Sequence, residues 1–279
     1  MHVAVLMGGD SPEREISLLS GQAVAAGLVE AGHEVTTLDL PKVAAVFEPA
    51  VLDRIRATDV VFPALHGGDG EDGHLQAALD LLEIPYALSG HAASALAMDK
   101  GSSKRIMRAA GVPTPAWLQV TWSRRQHEAS GLDLDDNPTL KRLRDRAADE
   151  LGFPVVIKLN GAGSSVGVAI VREPAEFVAG FARVVEAAPG PRVEVLIEEF
   201  VPGRELTAAI FLGRRLPLVE IRPREGFYDY ENKYTDGASD YLVPAPVHSP
   251  VYENMAADAL RVYELIGCRG LARVDYRLD

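Results

Sequence analysis

The 279-residue sequence predicts an α/β protein, α+β in part, with more than one domain. Three observations carry this. Short β-type apolar runs alternate with helix-type stretches from the start of the chain. Two of the early runs end at glycine pairs, Gly8-Gly9 and Gly67-Gly68. A later run, Pro154-Val155-Val156-Ile157-Lys158, feeds a glycine-serine loop at 161–167, GAGSSVG. Small residues there expose backbone N–H groups, which suits a flap over a polyphosphate, although the same residues also suit a hairpin turn.

In order along the chain, residues 2–7 read as a buried strand, 8–12 as a turn and 13–31 as a helix. Ser11 is the expected N-cap and Pro12 the first helical residue. Glu13 and Glu15 then fall in the first turn, where the helix dipole favours negative charge, and Gly32 ends the helix. Strands at 34–38 and 60–65 and a helix at 75–82 complete a doubly wound parallel sheet, whose ligands sit beyond the carboxyl ends of the strands, at Gly8-Gly9 and His66-Gly67-Gly68. Residues 121–150 are highly charged and read as a surface insertion with one exposed helix. Then come strand 154–158, the loop, strand 166–171, helix 174–187 and strand 193–199. Strands 205–212 and 217–222, an irregular stretch 223–248, helix 250–266 and strand 270–276 follow. A long irregular stretch inside a compact domain points to function.

Composition excludes several classes. With 47% hydrophobic and 24% charged residues the chain has apolar mass for more than one core. A net charge of -12 opposes nonspecific binding to nucleic acid or anionic membranes, which needs clustered Lys and Arg. Cys268 is the one cysteine, so no intrachain disulfide is expected and a reducing compartment is favoured. The first residues lack a basic signal-peptide region and no apolar run reaches membrane-spanning length, so a cytoplasmic protein is expected.

No GxxxxGK[ST] string occurs, and no GxGxxG follows the first strand. A nucleotide site assembled from separate lysines, a glycine loop and magnesium-holding carboxylates fits instead: Lys100 follows Met98-Asp99, Lys158 ends a strand, and Lys233 lies in the irregular stretch. Each lysine alone also reads as a solvated charge, as do Glu198 and Glu199. His66 reads as a structural histidine, and Tyr228, Tyr230 and Tyr234 as packing aromatics.

Six separated segments, in order, resemble the D-alanine:D-alanine ligase family of the ATP-grasp superfamily. They are VAVLMGGDSPEREISLLSG from Val3, ALHGGDGEDGHLQ from Ala64, SALAMDK from Ser94, the GAGSSVG loop, VLIEEFVPGREL from Val195 and FYDYENKY from Phe227. The resemblance implies an ATP-grasp fold with a substrate-binding α/β domain at 1–92, a central subdomain carrying the glycine loop at 93–192, and a C-terminal α+β domain at 193–279. It implies ATP-dependent joining of two D-alanines through an acyl phosphate for peptidoglycan, with Mg2+, or Mn2+ in its place, as cofactor. Lys100, Lys158 and Lys233 would contact ATP phosphates, with Ser165 of the loop beside them. Glu198, Glu199 and Val201 would line the adenine site and Glu205 would accept from the ribose hydroxyls. Glu13 and His66 would attend the first D-alanine, and Glu13, Ser164 and Tyr234 would form a hydrogen-bonded set that closes the loop over it. Tyr234 resembles the residue of amine-using rather than depsipeptide-forming members. Arg273 would stabilise the developing oxyanion and Asp275 would hold the first magnesium. Members of the family are commonly homodimers.

The sequence departs from the family pattern at Leu159, where Pro is usual, and at Ala162, where a larger residue is usual. It ends at Asp279, whereas family members continue with a strand bearing a Glu-x-Asn pair that completes the magnesium site. The expectation is a sequence shorter than that of the active ligase. Another ATP-grasp carboxylate–amine ligase, or a nucleotide-binding form without ligation, stands as the alternative.

Overall fold

A computed structural model describes residues 1–131, 133–163, 167–188, 190–224 and 238–279. The chain divides into two compact units, one of residues 1–98, 208–216 and 249–274, the other of 99–207, 217–248 and 275–279.

The first unit begins with β1 (His2–Gly8), α1 (Arg14–Glu30), β2 (Glu34–Leu40), α2 (Pro49–Arg56), β3 (Val60–Pro63), α3 (His74–Leu81) and α4 (His91–Met98). Its three strands pair in parallel in the order β2-β1-β3. The unbroken apolar run of β1 is explained by burial on both sides. Ala4 and Leu6 enter one core with Leu38, Leu40, Val61, Leu75 and Leu79, while Val3 and Val5 enter the other with Val24, Leu28 and Phe62. Gly21 lets α1 approach closely, because a Cβ there would lie 2.6 Å from the Met7 side chain. The expected doubly wound sheet is therefore present.

One local expectation fails. Ser11 is not the N-cap: α1 starts at Arg14, with Glu13 at the cap position. The Ser11 hydroxyl instead donates to the His66 carbonyl at 2.5 Å, and the Arg14 N–H donates to the Ser11 carbonyl at 3.1 Å. The Ser11 oxygen also accepts from the Glu13 N–H at 3.1 Å, a bond that closes the turn ahead of the helix.

The second unit opens with α5 (Lys100–Ala109), β4 (Trp117–Ser123), α6 (Arg124–Ser130), α7 (Pro138–Glu150), β5 (Val155–Leu159), β6 (Val168–Val171), α8 (Phe177–Glu186) and β7 (Arg192–Glu199). These strands form an antiparallel sheet in the order β4-β7-β5-β6. One face buries Leu118, Trp122, Val155, Ile157, Val193, Val195 and Ile197 against Leu140, Leu143 and Ala147 of α7 and Phe177, Phe181 and Val184 of α8. The period-two alternation then sends Trp117, Lys158, Leu196 and Glu198 to the opposite face.

This corrects the expectation for residues 121–150. The segment contributes the end of a sheet strand and a core helix rather than a surface insertion. Three apolar residues at helical spacing, Leu140, Leu143 and Ala147, suffice to bury one side of α7 among its charges. Asn137 caps it, accepting from the Thr139 and Leu140 N–H groups, and Pro138 opens it.

The chain continues through β8 (Arg204–Phe211), β9 (Arg214–Arg215), β10 (Val219–Pro223), β11 (Ser239–Leu242), α9 (Ser249–Ile266) and β12 (Leu271–Leu278). The order is β11-β10-β8-β12, with β9 paired to β8. The stretch expected to be irregular thus contains β11, antiparallel to β10, while residues 225–237 lie outside the described residues.

On β10 the Glu220 side chain is 2% exposed, and both its oxygens accept from Arg204, at 2.8 and 2.6 Å, and from Arg222, at 2.9 and 3.0 Å. The Arg204 guanidinium, helped by Arg222 and opposed by burial, holds the Glu220 carboxyl down at about 2. A depressed carboxyl contributes stability above its unfolded value of 4.5, and that stability is lost as pH falls toward about 2. Because both arginines are partly in water, Glu220→Gln is expected to lower stability at neutral pH by only about 1–2 kcal/mol. Chemical denaturation should show the difference shrinking as the pH approaches 2. A pH-independent difference would deny the ion pair this role.

Candidate active site

In the first unit, the segments that follow β1 and β3 bring Glu13 and His66 together. Glu13 is 6% exposed although it carries a carboxylate. Its backbone N–H donates to Ser11 Oγ at 3.1 Å, and Ser11 in turn anchors the His66 carbonyl. The His66 ring sits 2.9 Å from Ser20 Oγ and 3.4 Å from Glu71 Oε1. The Glu71 carboxylate raises the His66 pKa against the effect of burial, and the Glu13 charge adds to the rise. The site is braced by Arg14, which donates to the carbonyls of Gly9 and Leu40, both at 3.0 Å, and to both oxygens of Asp39, each at 2.8 Å. A buried carboxylate and a partly exposed imidazole at the carboxyl ends of a parallel sheet suit a small ligand that carries an ammonium group.

In the second unit, Lys158 and Glu198 share a face of the sheet, on adjacent strands β5 and β7. Glu198 Oε2 pairs with Lys158 Nζ, and Glu198 Oε1 pairs with Lys104 Nζ, both at short range. Burial works against the Glu198 carboxylate, but Lys158 and Lys104 outweigh it and its pKa lies below the ordinary value. Lys104 also donates to Thr114 Oγ1 at 2.8 Å and lies 5.0 Å from the centre of the Trp117 ring. Lys100 Nζ donates to the carbonyls of Asn160, at 3.3 Å, and Ala162, at 2.5 Å, so it is tied to the start of the glycine loop. Burial pushes its pKa down to about 8, and the like charge of Lys158 pushes in the same direction. Asn160 completes the tie, with its Oδ1 accepting from the Gly101 N–H at 2.8 Å. Three ammonium groups gathered about one carboxylate leave an excess of positive charge, which suits an anion such as a polyphosphate.

Of the other sequence-predicted residues, Glu199, Val201 and Glu205 follow Glu198 along the chain. Glu199 is held at the β7 end, its N–H on the Ala116 carbonyl at 3.0 Å and its Oε2 3.4 Å from the Ala116 N–H. The Val201 carbonyl accepts from Arg277 Nε at 3.4 Å, and Glu205 Oε2 accepts from Arg277 Nη1 at 3.2 Å. Asp275 Oδ1 accepts from Thr207 Oγ1 at 2.7 Å. Arg273 and Asp275 are exposed, two residues apart on β12. Ser164, Ser165, Lys233 and Tyr234 lie outside the described residues. Among the described residues, one group of carboxylates and imidazole could chelate a metal, Asp69, Asp72 and His74 before and at the start of α3, and it does not include Asp275.

Sequence reasoning missed Lys104, Asn160, Thr207 and Arg277. Lys104 carried a usable signal: it falls one helical turn after Lys100, so both reach the same side of α5.

Residues 106–279 match the family model described as D-ala D-ala ligase C-terminus, and residues 41–89 match D-ala D-ala ligase N-terminus. The chain belongs to the D-alanine--D-alanine ligase family. Relatives in that ligase family include the D-alanine--D-alanine ligase of Moorella thermoacetica, 43% identical over 281 residues that cover 99% of this chain and 84% of the relative. Another is that of Desulforudis audaxviator, 44% identical over 277 residues, covering 98% and 82%. Among solved structures, the Bacillus anthracis D-alanine--D-alanine ligase complexed with ATP superposes with a TM-score of 0.77 at 30% identity, covering 100% of this chain and 82% of that one. The VanG D-Ala:D-Ser ligase from Enterococcus faecalis gives 0.72 at 26% identity, covering 99% and 85%. These ligases establish the ATP-grasp fold for the chain.

Proposed function

We infer that this chain ligates two D-alanine molecules into D-alanyl-D-alanine for peptidoglycan precursors, with ATP converted to ADP and phosphate. The cluster of Lys100, Lys104 and Lys158 around Glu198 carries the reading, in a chain that covers 84% of a D-alanine--D-alanine ligase. Glu13 would hold the ammonium of the first D-alanine, with His66 beside it. The carboxylate of that D-alanine attacks the γ-phosphorus of ATP, the bond to the β-phosphate oxygen breaks, and an acyl phosphate and ADP result. The amine of the second D-alanine then attacks the acyl carbon, loses a proton, and expels phosphate.

Lys100 and Lys158, with Lys233, would neutralise phosphate charge as it moves. Arg273 would support the oxyanion of the tetrahedral intermediate. Ser164 and Tyr234, joined with Glu13, would close the loop that excludes water from the acyl phosphate. Ser165, Glu198, Glu199 and Val201 would border the nucleotide, and Glu205 would accept from its ribose. Mg2+, held by Asp275 beside the Thr207 hydroxyl, would supply charge neutralisation of the phosphates; a hard carboxylate oxygen is the donor type that ion prefers. The functional division would follow residues 1–92, 93–192 and 193–279. A cytoplasmic homodimer is the working form we infer. Its cytoplasmic part is supported by the single cysteine, which fits a reducing compartment.

Magnesium-dependent phosphate release from ATP by the purified chain tests the reading, with D-alanine, L-alanine, D-lactate and D-serine as separate additions. Stimulation by D-alanine is expected. Release indifferent to all four would overturn it.

A further inference from the structure

We propose that Lys104 is a positioning residue for the nucleotide: it keeps hold of Glu198 so that Lys158 can leave that carboxylate for a phosphate. The inference rests on the nucleotide reading above and goes beyond it by giving Lys104 and Glu198 one shared task.

The geometry separates the two lysines. Each takes one oxygen of the same carboxylate, Lys104 on Oε1 and Lys158 on Oε2. The Lys104 side chain is 5% exposed and is fixed by Thr114 and the face of Trp117, so it has nowhere else to go. The Lys158 side chain is 22% exposed and stands on the open side of the cluster, near Lys100. Of the two, Lys158 is the one an incoming polyphosphate can recruit.

Were Lys158 the sole partner of Glu198, its departure would strand a buried carboxylate without a counter-charge, which is strongly unfavourable. With Lys104 in place, Glu198 retains a charge-assisted hydrogen bond throughout, and Lys158 exchanges one anion for another. A lysine that merely filled space beside Trp117 would be replaced without loss by an apolar side chain of similar length. The two accounts therefore differ for the isosteric variant Lys104→Met.

The test is calorimetric titration of the full chain with ADP, for wild type, Lys104→Met, Glu198→Gln and the double variant. Lys104→Met should bind about tenfold more weakly, because Glu198 then competes for Lys158 without relief. Neutralising Glu198 removes that competition, so the double variant should match Glu198→Gln within about twofold. Binding of Lys104→Met equal to wild type would overturn the proposal, and so would a double variant weaker than Glu198→Gln by the factor seen in the single variant. Should Lys104→Met fail to fold, the comparison of the double variant with Glu198→Gln decides alone. A wild-type chain that does not bind ADP would bring down the nucleotide reading itself, whereas tight binding unaffected by Lys104→Met would remove this inference and leave that reading standing.

Discussion

Replacing Lys158 with methionine is expected to lower D-alanine-dependent phosphate release by about 10²–10³-fold, the loss typical of removing one preorganised charge from a developing anion. The argument starts from the strand. Alternation along β5 places Val155, Ile157 and Leu159 in the core and turns Lys158 out of it, so methionine at this position disturbs no packed neighbour. Glu198 keeps Lys104, and therefore no carboxylate is left buried without a partner. Stability should hold within about 1 kcal/mol, as for other changes on partly exposed faces. Loss of rate without loss of fold is the expected signature, read by phosphate release at saturating ATP and D-alanine alongside a thermal melt. A rate within a few-fold of wild type would remove Lys158 from the phosphate site, and with it the reading of the whole cluster.

How much of this was visible in the sequence depends on how local the signal was. The strands β1, β5 and β7 were legible because an apolar run between turn residues has few other interpretations. Lys100 was legible within the family's strings, and Lys158 as the last residue of the apolar run that feeds the glycine loop. The place of Lys104 one helical turn after Lys100 was visible, but its burial was not, because that depends on a carboxylate ninety-four residues away and no window of sequence contains both. The N-cap was misjudged at Ser11 for a similar reason. Its hydroxyl suits a cap, but the chain makes one more turn before the helix: the oxygen accepts from the Glu13 N–H while the hydrogen goes to the His66 carbonyl, fifty-five residues on. In α7 the failure was one of composition. Seven of its thirteen residues, PTLKRLRDRAADE, are charged, and they masked the three apolar positions that fix its place in the core.

Gly67→Ala carries the second large effect, and it acts on the amino-acid substrate alone. Gly67 has φ +67 and ψ 165, a region that residues with a side chain rarely adopt. An added Cβ would fall 2.6 Å from Glu13 Oε2 and 3.1 Å from Ser11 Oγ. The Glu13 side chain is buried, and the Ser11 hydroxyl anchors the His66 carbonyl, so the methyl displaces both groups that would receive D-alanine. Misplacement on the scale of an ångström can reduce catalysis about 10²-fold, and a similar rise in the KM for D-alanine is expected here. The KM for ATP should change little, because the lysine cluster belongs to the other compact unit. Backbone strain by itself predicts something different. Gly32 ends α1 with φ +82, and a Cβ there would meet nothing within 4 Å, so Gly32→Ala introduces strain without the contact. It should cost about 1 kcal/mol of stability and leave the KM for D-alanine unchanged. Equal effects of the two substitutions on that KM would show that the loop's conformation, and not the approach of Gly67 to Glu13, governs substrate binding.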